Sequence, residues 1–327
     1  MILIVTSQRD LTSDFIVLEL QRKGLAYLRL NTEELPKGAF YCRPEVDDAW
    51  HFDLQGVSFD LSRVKAAYFR RPGTPEPLSD IHEAEQAYAA VEWQATLQSL
   101  YWAVGDRWLN APHAIALAED KIRQLTVARR LGFLIPETLI GNSPVAVQAF
   151  AAERRVVGKP LRNAVVKGQR TDRVVFTSRV HIDAQTDPLS IRVCPLILQR
   201  EIKKRYDVRA TVVGDRVFAV TIDSQGHPET EVDWRKTSAP DLAHSVYVLP
   251  SEIARKCIAM TRSLGLRFGA LDFVLDPEGQ LWFLEINPNG QWAWIETRTG
   301  HPIAAAIVAE LAQIANEQAT AGDLATA

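Results

Sequence analysis

Two apolar runs on either side of a tight turn constrain the fold of this chain more than any other feature. Residues 268–288, FGALDFVLDPEGQLWFLEINP, predict two antiparallel strands joined at Asp-Pro-Glu-Gly, with proline at the second turn position and glycine at the fourth. Glu285 and Asn287 are two residues apart in the second strand, so their side chains share one face. A carboxylate among such apolar neighbours needs a partner. The hairpin therefore predicts a polar site on one of its faces.

Asp272, in the first strand, is a third candidate for this site. A loop with an even number of residues places its side chain on the face of Glu285 and Asn287, whereas a three-residue loop places it on the other face unless a bulge intervenes. We predict the even loop, which brings two carboxylates and an amide oxygen together. Hard oxygen donors without His or Cys nearby in sequence suit Mg²⁺, which completes its shell with water and nucleotide phosphates. The alternative is a hairpin whose acids are simply solvated, and the apolar flanking residues disfavour it.

Composition excludes several classes of protein. The chain has 327 residues and a formal net charge of −3, which argues against a nucleic-acid binder that works through a broad basic field. Its three cysteines are scattered without a C-x-x-C pair, so neither a disulfide framework nor a thiolate zinc site is expected. The longest uncharged stretch, residues 138–152, contains glycine and proline and cannot form a spanning helix. With no basic segment typical of a signal peptide, we predict a cytoplasmic protein without membrane or nucleic-acid partners.

The pattern along the chain changes twice. Residues 1–112 predict a small α/β unit with a hairpin around Gly56 and a long amphipathic helix from Asp80 to about Gly105. No G-x-G-x-x-G follows its strands, so dinucleotide binding has no support. Residues 113–132 predict one helix that stops at Gly132, and Ser143 with Pro144 predicts a capped helix start. From about residue 196 the pattern is mostly strand, with a helix before the hairpin and another at the C-terminus.

Two lysines and one apolar strand add to the candidate site. Lys159 directly follows a strand, where a lysine in a buried run needs an anion, and Lys121 lies at the head of a helix. Two lysines in one cleft can act as point charges on successive phosphates. Each lysine alone is more typical of an ordinary surface residue. The strand LILQREI, residues 196–202, can offer backbone groups to a purine edge, although by itself it is only a strand.

Together these segments resemble ATP-grasp ligases. Lys121, Lys159, QREI, DVRATVVGDRVFA and LDFVLDPEGQLWFLEINPNGQW occur in the order found in that superfamily, and the D-x12-E-x-N arrangement resembles its magnesium signature. YFRRP, VDWR and EINPNGQWAWIE further resemble the graspetide (microviridin-type) peptide macrocyclases. The resemblance covers essentially the whole chain. The chain departs from the family pattern in residues 161–172. Many ATP-grasp proteins have a glycine-rich lid there, whereas this segment contains one glycine, Gly168.

The resemblance implies an α/β (α+β) ATP-grasp fold in three parts. These are an N-terminal pre-ATP-grasp domain (1–112), a central subdomain (113–198) and a C-terminal subdomain (199–327), with ATP held between the last two. Asp272, Glu285 and Asn287 are implied to hold Mg²⁺. Arg209 and Arg235 are implied to face the transferring phosphoryl group and the acyl intermediate. The residues implied to contact ATP are Lys121, Lys159, Gln199, Arg200, Glu201, Ile202, Lys203 and Asp207.

The implied function is an ATP-dependent carboxylate–amine/alcohol ligase. It activates Asp or Glu side chains of a ribosomal precursor peptide as acyl phosphates and forms ester or amide macrocycles with Thr, Ser or Lys side chains. Its implied partners are that peptide, which has a leader and an acidic, threonine-rich core, and a second copy in a homodimer. One alternative is a ligase that adds free amino acids, of the glutamate-tailing or dipeptide-forming type. Another is a nucleotide-binding regulator without catalytic activity.

Two further motifs allow two interpretations each. Trp292 and Trp294 follow the hairpin and serve either as packing groups or as a wall of the substrate cleft. The arginines of YFRRP either bind an acidic substrate or brace a domain interface. Tryptophans that follow a strand are more often packing groups, whereas the two interpretations of the arginines are equally open.

Overall fold

The structure, a computed structural model, describes residues 1–45, 50–54, 56–76, 78–152, 154–162, 165–168, 171, 173–236 and 242–325, with no side chains described beyond residue 318. The chain divides into two compact units. The first comprises Met1–Ile115, Leu266–Phe268 and Asn289–Ala327, and the second comprises Ala116–Gly265 and Gly269–Pro288. The three-part division implied by the family resemblance stays a prediction. Among the described residues, no helix is long and apolar enough to cross a membrane.

Five strands follow one another between the first two α-helices, and groups of one to four strands alternate with helices afterwards. The helices are α1 Thr12–Arg22, α2 Glu83–Val104, α3 Pro112–Ala118, α4 Lys121–Arg130, α5 Pro144–Ala151, α6 Pro188–Arg192, α7 Ser251–Ser263, α8 Ala293–Thr299 and α9 Ile303–Ala325. The strands are β1 Ile2–Thr6, β2 Tyr27–Asn31, β3 Ala39–Cys42, β4 Trp50–Leu54, β5 Val57–Asp60, β6 Ala66–Phe69, β7 Trp108–Leu109, β8 Thr138–Gly141, β9 Val156–Lys159, β10 Val165–Val166, β11 Arg173–Val174, β12 Ser178–Val180, β13 Leu196–Arg200, β14 Tyr206–Val213, β15 Arg216–Ile222, β16 His244–Val246, β17 Phe268–Leu275 and β18 Leu281–Asn287.

The first unit is built on a parallel sheet in the order β2-β1-β6-β7. Strand β1 is buried along its whole length, as expected for a parallel strand covered on both faces. Strands β3, β4 and β5 form a separate antiparallel sheet, and the predicted hairpin turn at Gly56 is confirmed, with φ of +78° at that glycine. The predicted α/β class of the fold is therefore confirmed.

The second unit contains two antiparallel sheets. One has the order β12-β9-β13-β8, and the other has the order β16-β15-β14-β17-β18. Helix α7 packs on β14 and β15, and helix α4 packs on β18. Strand β10 lies within residues 161–172, where many ATP-grasp proteins have a lid, and it pairs with β11 directly after that segment. Part of that segment lies outside the described residues.

The hairpin of β17 and β18 has a different loop from the predicted one. Leu275 pairs with Leu281, which leaves five residues between the strands, so the even-loop prediction is wrong. A register shift next to Asp272 compensates for the odd loop and places Asp272 opposite Glu285. This is the bulge that an odd loop requires if Asp272 is to share the face of Glu285. The two carboxylates therefore converge as predicted, but through an odd loop and a bulge instead of an even loop.

The single helix predicted for residues 113–132 is also wrong. The chain forms α3, leaves helical geometry at Glu119 and Asp120, and starts again as α4. Asp120 is the N-cap of α4, because its carboxylate accepts a hydrogen bond from the Arg123 N–H at 2.8 Å. The break makes Lys121 the first residue of a new helix. The predicted start of α5, with Ser143 as N-cap and Pro144 at the first position, is confirmed.

Candidate functional site

The polar face of the β17–β18 hairpin opens into a cavity of about 420 Å³ within the second unit. Asp272 faces Glu285 across the strands, and Asn287 pairs with Ala270 two residues further along. The cavity is lined by all three predicted metal ligands and by Lys121, Lys159, Asp207 and Arg235. The opposite face of the hairpin is anchored by Phe273 and Phe283, which are both fully buried. The apolar side of the hairpin thus fixes where its carboxylates lie.

Lys121 and Glu285 form the shortest ion pair of the cavity. Lys121 Nζ lies 2.6 Å from Glu285 Oε2, and both side chains are about three-quarters buried. Gln124, one turn further along α4, fixes this approach because its side-chain amide bonds with both backbone groups of Ile286, at 2.8 and 3.1 Å. Gln124 was not among the predicted site residues. The only signal for it was its position three residues after Lys121.

Lys159 is the last residue of β9 and lines the same cavity. Its Nζ donates to Gln199 Oε1 at 2.8 Å, and the Gln199 amide donates to Thr138 Oγ1 at 3.0 Å. Burial, with repulsion from Lys121 and Arg235 added, lowers the pKa of Lys159 to about 8. The attraction of Glu285 offsets part of this shift. Lys159 is thus a cation that the protein stabilises poorly by itself, which suits a group that receives an anionic ligand.

Two arginines bind acids of the site in bidentate geometry. Arg209 donates to both Asp272 oxygens at 2.7 and 3.1 Å from a buried position on β14, and it does not line the cavity. Arg235 lines the cavity and donates to both oxygens of the buried Asp233, at 2.8 and 2.9 Å. Its Nη1 also lies 3.8 Å from Glu285 Oε1. The structure therefore places Arg235 at the cavity and Arg209 behind Asp272.

The two facing carboxylates have opposite pKa shifts. Burial alone would raise the pKa of Glu285, but Lys121, Arg235 and Lys159 outweigh it and lower the pKa to about 2. The pKa of Asp272 is raised, first by burial and then by repulsion from Glu285, although Arg209 opposes the shift. An additional cation between them would relieve both the burial cost and the repulsion. The cations of the protein thus compensate Glu285 fully, whereas the charge of Asp272 remains incompletely compensated.

This donor set fits a hard divalent cation. Within the part of the chain that the structure describes, no group of three or more His, Cys, Asp or Glu side chains is placed to hold a metal. A metal site on this hairpin would therefore rest on two carboxylates and the amide of Asn287. All three are oxygen donors without a soft ligand, as Mg²⁺ prefers, and they leave coordination positions for water or phosphate oxygens. The residues present fit the metal that the family resemblance implies.

A second cavity of about 40 Å³ adjoins the first and contains the predicted purine-binding segment. Gln199, Arg200, Glu201 and Ile202 all line it. Its other walls are largely apolar. They include Pro136, Val157, Val232, Val274 and Leu284. A small, largely apolar slot at the end of β13 suits contact with part of a heteroaromatic ring.

The remaining residues predicted to contact ATP do not all line the same cavity. Glu201 receives a hydrogen bond from Arg179 Nε at 2.8 Å. Lys203 is exposed and lines neither cavity, whereas its neighbour Lys204 lines the small one and lies 2.9 Å from Asp207. Burial raises the pKa of Asp207, and Lys204 opposes that shift. An ATP contact by Lys203 stays a prediction, and Lys204 is an additional candidate.

The two undecided motifs belong to the first unit. Trp292 is fully buried and its Nε1 donates to the Tyr68 hydroxyl at 3.3 Å, which favours the packing interpretation for this tryptophan. The Arg70 side chain is also completely buried and donates to the Asn289 backbone oxygen at 2.7 Å and to its Oδ1 at 2.8 Å. Arg70 thus braces the segment that follows β18. Its burial disfavours direct binding of an acidic substrate.

Comparisons with known proteins identify the family and the fold of the chain. A model of the RimK-like ATP-grasp domain matches residues 118–311. The Escherichia coli ribosomal protein bS6–L-glutamate ligase is 28% identical over 208 residues, which are 63% of this chain and 67% of that protein. The alignments with such curated relatives span 64–67% of the relatives' own length.

Solved structures match the chain over nearly its whole length. A Chryseobacterium gregarium RiPP-associated ATP-grasp ligase, in complex with ADP and a leader and core peptide, has a TM-score of 0.87 at 24% identity, covering 95% of this chain and 96% of that one. The Microcystis aeruginosa macrocyclase MdnC, bound with its precursor peptide MdnA, has a TM-score of 0.82 at 27% identity, covering 96% and 99%. The predicted ATP-grasp fold is confirmed by these matches.

Proposed function

Because the chain belongs to the RimK-like ATP-grasp family, we propose that this ATP-grasp ligase uses ATP and Mg²⁺ to cross-link side chains of a ribosomal precursor peptide. Aspartate or glutamate side chains of the peptide are activated, and hydroxyl or amine side chains of the same peptide attack them. The product is a peptide with ester or amide macrocycles. The substrate peptide carries a leader segment and an acidic core.

One observation carries this proposal: the likeness to a peptide macrocyclase extends over both units of the chain. The match to MdnC covers 96% of the chain at 27% identity, and the match to the macrocyclase MdnB covers 95% at 28%. The glutamate ligases align with only 61–63% of it. The RimK-like ATP-grasp model matches residues 118–311. The solved macrocyclases also match the chain outside that range, which supports a macrocyclase over a glutamate ligase.

The reaction requires two displacements. In the first, a peptide carboxylate attacks the γ-phosphorus of ATP and forms an acyl phosphate. The bond between that phosphorus and the β,γ-bridging oxygen breaks, and ADP leaves. A hydroxyl or amine of the peptide then attacks the acyl carbon, and inorganic phosphate leaves as the nucleophile loses its proton. A carboxylate is a poor electrophile, so the protein must neutralise phosphate charge and exclude water from the intermediate.

The cavity residues fit these tasks. We assign Lys121 and Lys159 to the phosphates as point charges, and Arg235 to the oxygens of the transferring phosphoryl group and the acyl phosphate. Arg209 orients Asp272 through its bidentate contact. Asp272, Glu285 and Asn287 would hold magnesium, which supplies charge neutralisation at the phosphates when it is bound. The apolar slot beside Gln199–Ile202 receives the adenine ring.

The glutamate-adding alternative is favoured by the names of the curated relatives, among them the bS6–L-glutamate ligase. Mass spectrometry of a candidate precursor peptide, incubated with the protein, ATP and Mg²⁺, separates the two reactions. The macrocyclase predicts the loss of one water mass for each bond formed, with one ADP released. A mass gain of whole glutamate residues, when free glutamate is added, would replace our proposal with the alternative. ADP release that does not depend on any peptide would contradict both.

A pH dependence of nucleotide binding follows from Lys159. Burial lowers the pKa of Lys159 to about 8, so the amine is largely neutral above that pH, whereas contact with phosphate favours the charged form. Binding of Mg²⁺ with a non-hydrolysable ATP analogue should therefore weaken as the pH rises through 8, by up to about tenfold per unit. Calorimetry in buffers of different ionisation enthalpy should detect proton uptake on binding above pH 8.

Matched lysine variants test this assignment. Lys159→Met should bind the analogue more weakly at neutral pH and lose most of the pH dependence above pH 8. Lys65→Met, which alters an exposed lysine of the first unit, should behave like the unmodified protein. An unchanged pH profile in Lys159→Met would show that another group titrates.

A further inference from the structure

The turn that follows β18 begins directly after a proposed metal ligand. Strand β18 ends at Asn287, and Pro288 and Asn289 form the turn. Asn287 is exposed, whereas the side chains of Asp272 and Glu285 are 13% and 27% exposed. An exposed amide at the end of a strand has several accessible rotamers. A metal site that uses this amide therefore needs support from the neighbouring backbone.

Arg70 supplies hydrogen bonds to this turn. Its Nη1 donates to the Asn289 backbone oxygen at 2.7 Å, to Asn289 Oδ1 at 2.8 Å and to the Gly290 backbone oxygen at 3.1 Å. Among the described residues, every hydrogen bond of this guanidinium goes to these two residues. The side chain is completely buried, and the Asp10 carboxylate lies 3.8 Å from its Nε as a counter-charge. Hydrogen bonds from a charged donor are stronger than neutral ones, so this contact holds the turn firmly.

The end of β6 holds the chain at a second point. Arg70 continues the ladder of β6, because its backbone N–H donates to the Val5 backbone oxygen at 2.8 Å. Tyr68 is two residues before Arg70, so the two side chains point to the same side of the sheet. The Tyr68 hydroxyl accepts the hydrogen bond from Trp292 Nε1, and both side chains are buried. Residues 289–292 are thus tied to the end of β6 at both of their ends.

Covalent geometry links the turn to Asn287. Proline has a fixed φ, and the residue before a proline is held in an extended conformation. Pro288 therefore leaves little rotational freedom between Asn287 and the turn. On the other side of Asn287, the amide of Gln124 bonds with both backbone groups of Ile286. Asn287 is thus flanked by one residue that Gln124 holds and by a turn that Arg70 holds.

We propose that Arg70 is a positioning residue for the metal site, because the turn that it fixes keeps the Asn287 amide on the face of Asp272 and Glu285. The inference rests on the proposed function, in which these three side chains hold Mg²⁺. Arg70 lines neither cavity, so it acts through the backbone. Contacts that support a metal ligand change metal affinity by roughly 10–100-fold. We expect about tenfold here, at the lower end of that range, because the amide is a neutral donor.

The affinity for Mn²⁺ tests this role. Electron paramagnetic resonance measures free Mn²⁺ directly, in samples that all contain ADP. Arg70→Met should weaken Mn²⁺ binding about tenfold. Arg70→Lys should recover part of this loss, because its ammonium group can still donate to the Asn289 backbone oxygen. Unchanged Mn²⁺ affinity in Arg70→Met would overturn the inference.

Asn289→Ala tests the other end of the same contact. This variant keeps Arg70 beside Asp10 and removes one of three acceptors, so it should weaken Mn²⁺ binding about threefold. The chain with both Arg70→Met and Asn289→Ala should bind no more weakly than Arg70→Met alone, because the contact is already lost. If Arg70→Met does not fold, unchanged affinity in both Arg70→Lys and Asn289→Ala would overturn the inference.

Arg107→Met is the matched control. Arg107 is also an arginine of the first unit whose guanidinium donates to backbone oxygens, which are those of Leu61, Val64, Ala103 and Val104. Its replacement should lower the melting temperature and leave the Mn²⁺ affinity unchanged. Equal weakening of Mn²⁺ binding in Arg107→Met and Arg70→Met would show a general loss of stability and overturn the inference.

Asn287→Ala separates this inference from the proposed function. It removes the donor itself, so it should weaken Mn²⁺ binding at least as much as Arg70→Met. Unchanged affinity in Asn287→Ala would overturn the metal assignment and the inference with it. A loss confined to Asn287→Ala would overturn the inference alone.

Discussion

Replacing Glu285 by glutamine is expected to lower the rate of ATP-dependent ligation by about 10³-fold. Glutamine keeps the size of the side chain and removes the charge that faces Asp272 and pairs with Lys121. A bound divalent cation contributes several kcal/mol of charge stabilisation, and each 1.4 kcal/mol or so corresponds to a factor of ten in rate. ADP release in the presence of the peptide substrate measures the effect, and calorimetry should show weakened uptake of the Mg-nucleotide.

Glu278→Gln is the matched control for this substitution. Glu278 is an exposed acid in the turn of the same hairpin, so its replacement changes the net charge equally without touching the cavity. It should leave both the rate and the melting temperature unchanged. Full activity in Glu285→Gln would show that the Glu285 carboxylate is not needed to hold the metal. An equal loss in both variants would indicate damage to the hairpin instead.

The site could be predicted in part because its donors are close together in sequence. Glu285 and Asn287 lie two residues apart in one strand, so their common face follows from strand geometry alone. The position of Asp272 was harder to predict, because the loop is odd and a bulge restores the register. A bulge depends on how the whole hairpin packs, as with Phe273 and Phe283 on its other face. The sequence predicted which acids converge but not the backbone route that brings them together.

The basic side chains that pair with the acids could be predicted only in part from local sequence patterns. Lys121 was singled out by its place at the head of a helix, but the break that creates this helix start was not expected, because residues 113–132 keep a helical pattern throughout. Only the hydrogen bond from the Arg123 N–H to Asp120 marks the new start. The pairing of Arg209 with Asp272 joins β14 to β17 and has no local signal. Such pairings depend on sheet order, which a single sequence leaves open.

The cations around the cavity also explain how the fold tolerates two buried carboxylates that face each other. Glu285 and Asp272 face each other on a largely buried surface, which is costly unless positive charge is close. Lys121, Arg235 and Arg209 supply that charge. Under the proposed function, a metal ion held by the carboxylates would leave Lys121 and Arg235 available to phosphate oxygens. The same two residues would then stabilise the fold before binding and the ligand after it.

The pair of Arg209 and Asp272 should have the largest effect on stability. Their side chains are 6% and 13% exposed, and they meet in bidentate geometry. Removing one partner leaves a buried charge without compensation, which costs about 3–5 kcal/mol. Arg209→Met and Asp272→Asn should each lower the free energy of unfolding by an amount near the lower end of this range. The introduced asparagine can still accept one hydrogen bond from Arg209, and in the methionine variant the Asp272 carboxylate can take up a proton.

A double-mutant cycle isolates the interaction itself. The chain with both substitutions should be less destabilised than the sum of the single variants, because neither partner then leaves an unpaired charge in the interior. Denaturant unfolding of the four proteins at one pH gives the coupling free energy, expected at about 1–3 kcal/mol. Additive effects would mean that the two groups contribute independently. In that case Arg209 does not orient Asp272, and the prediction that remains for Arg209 is a contact with the transferring phosphoryl group.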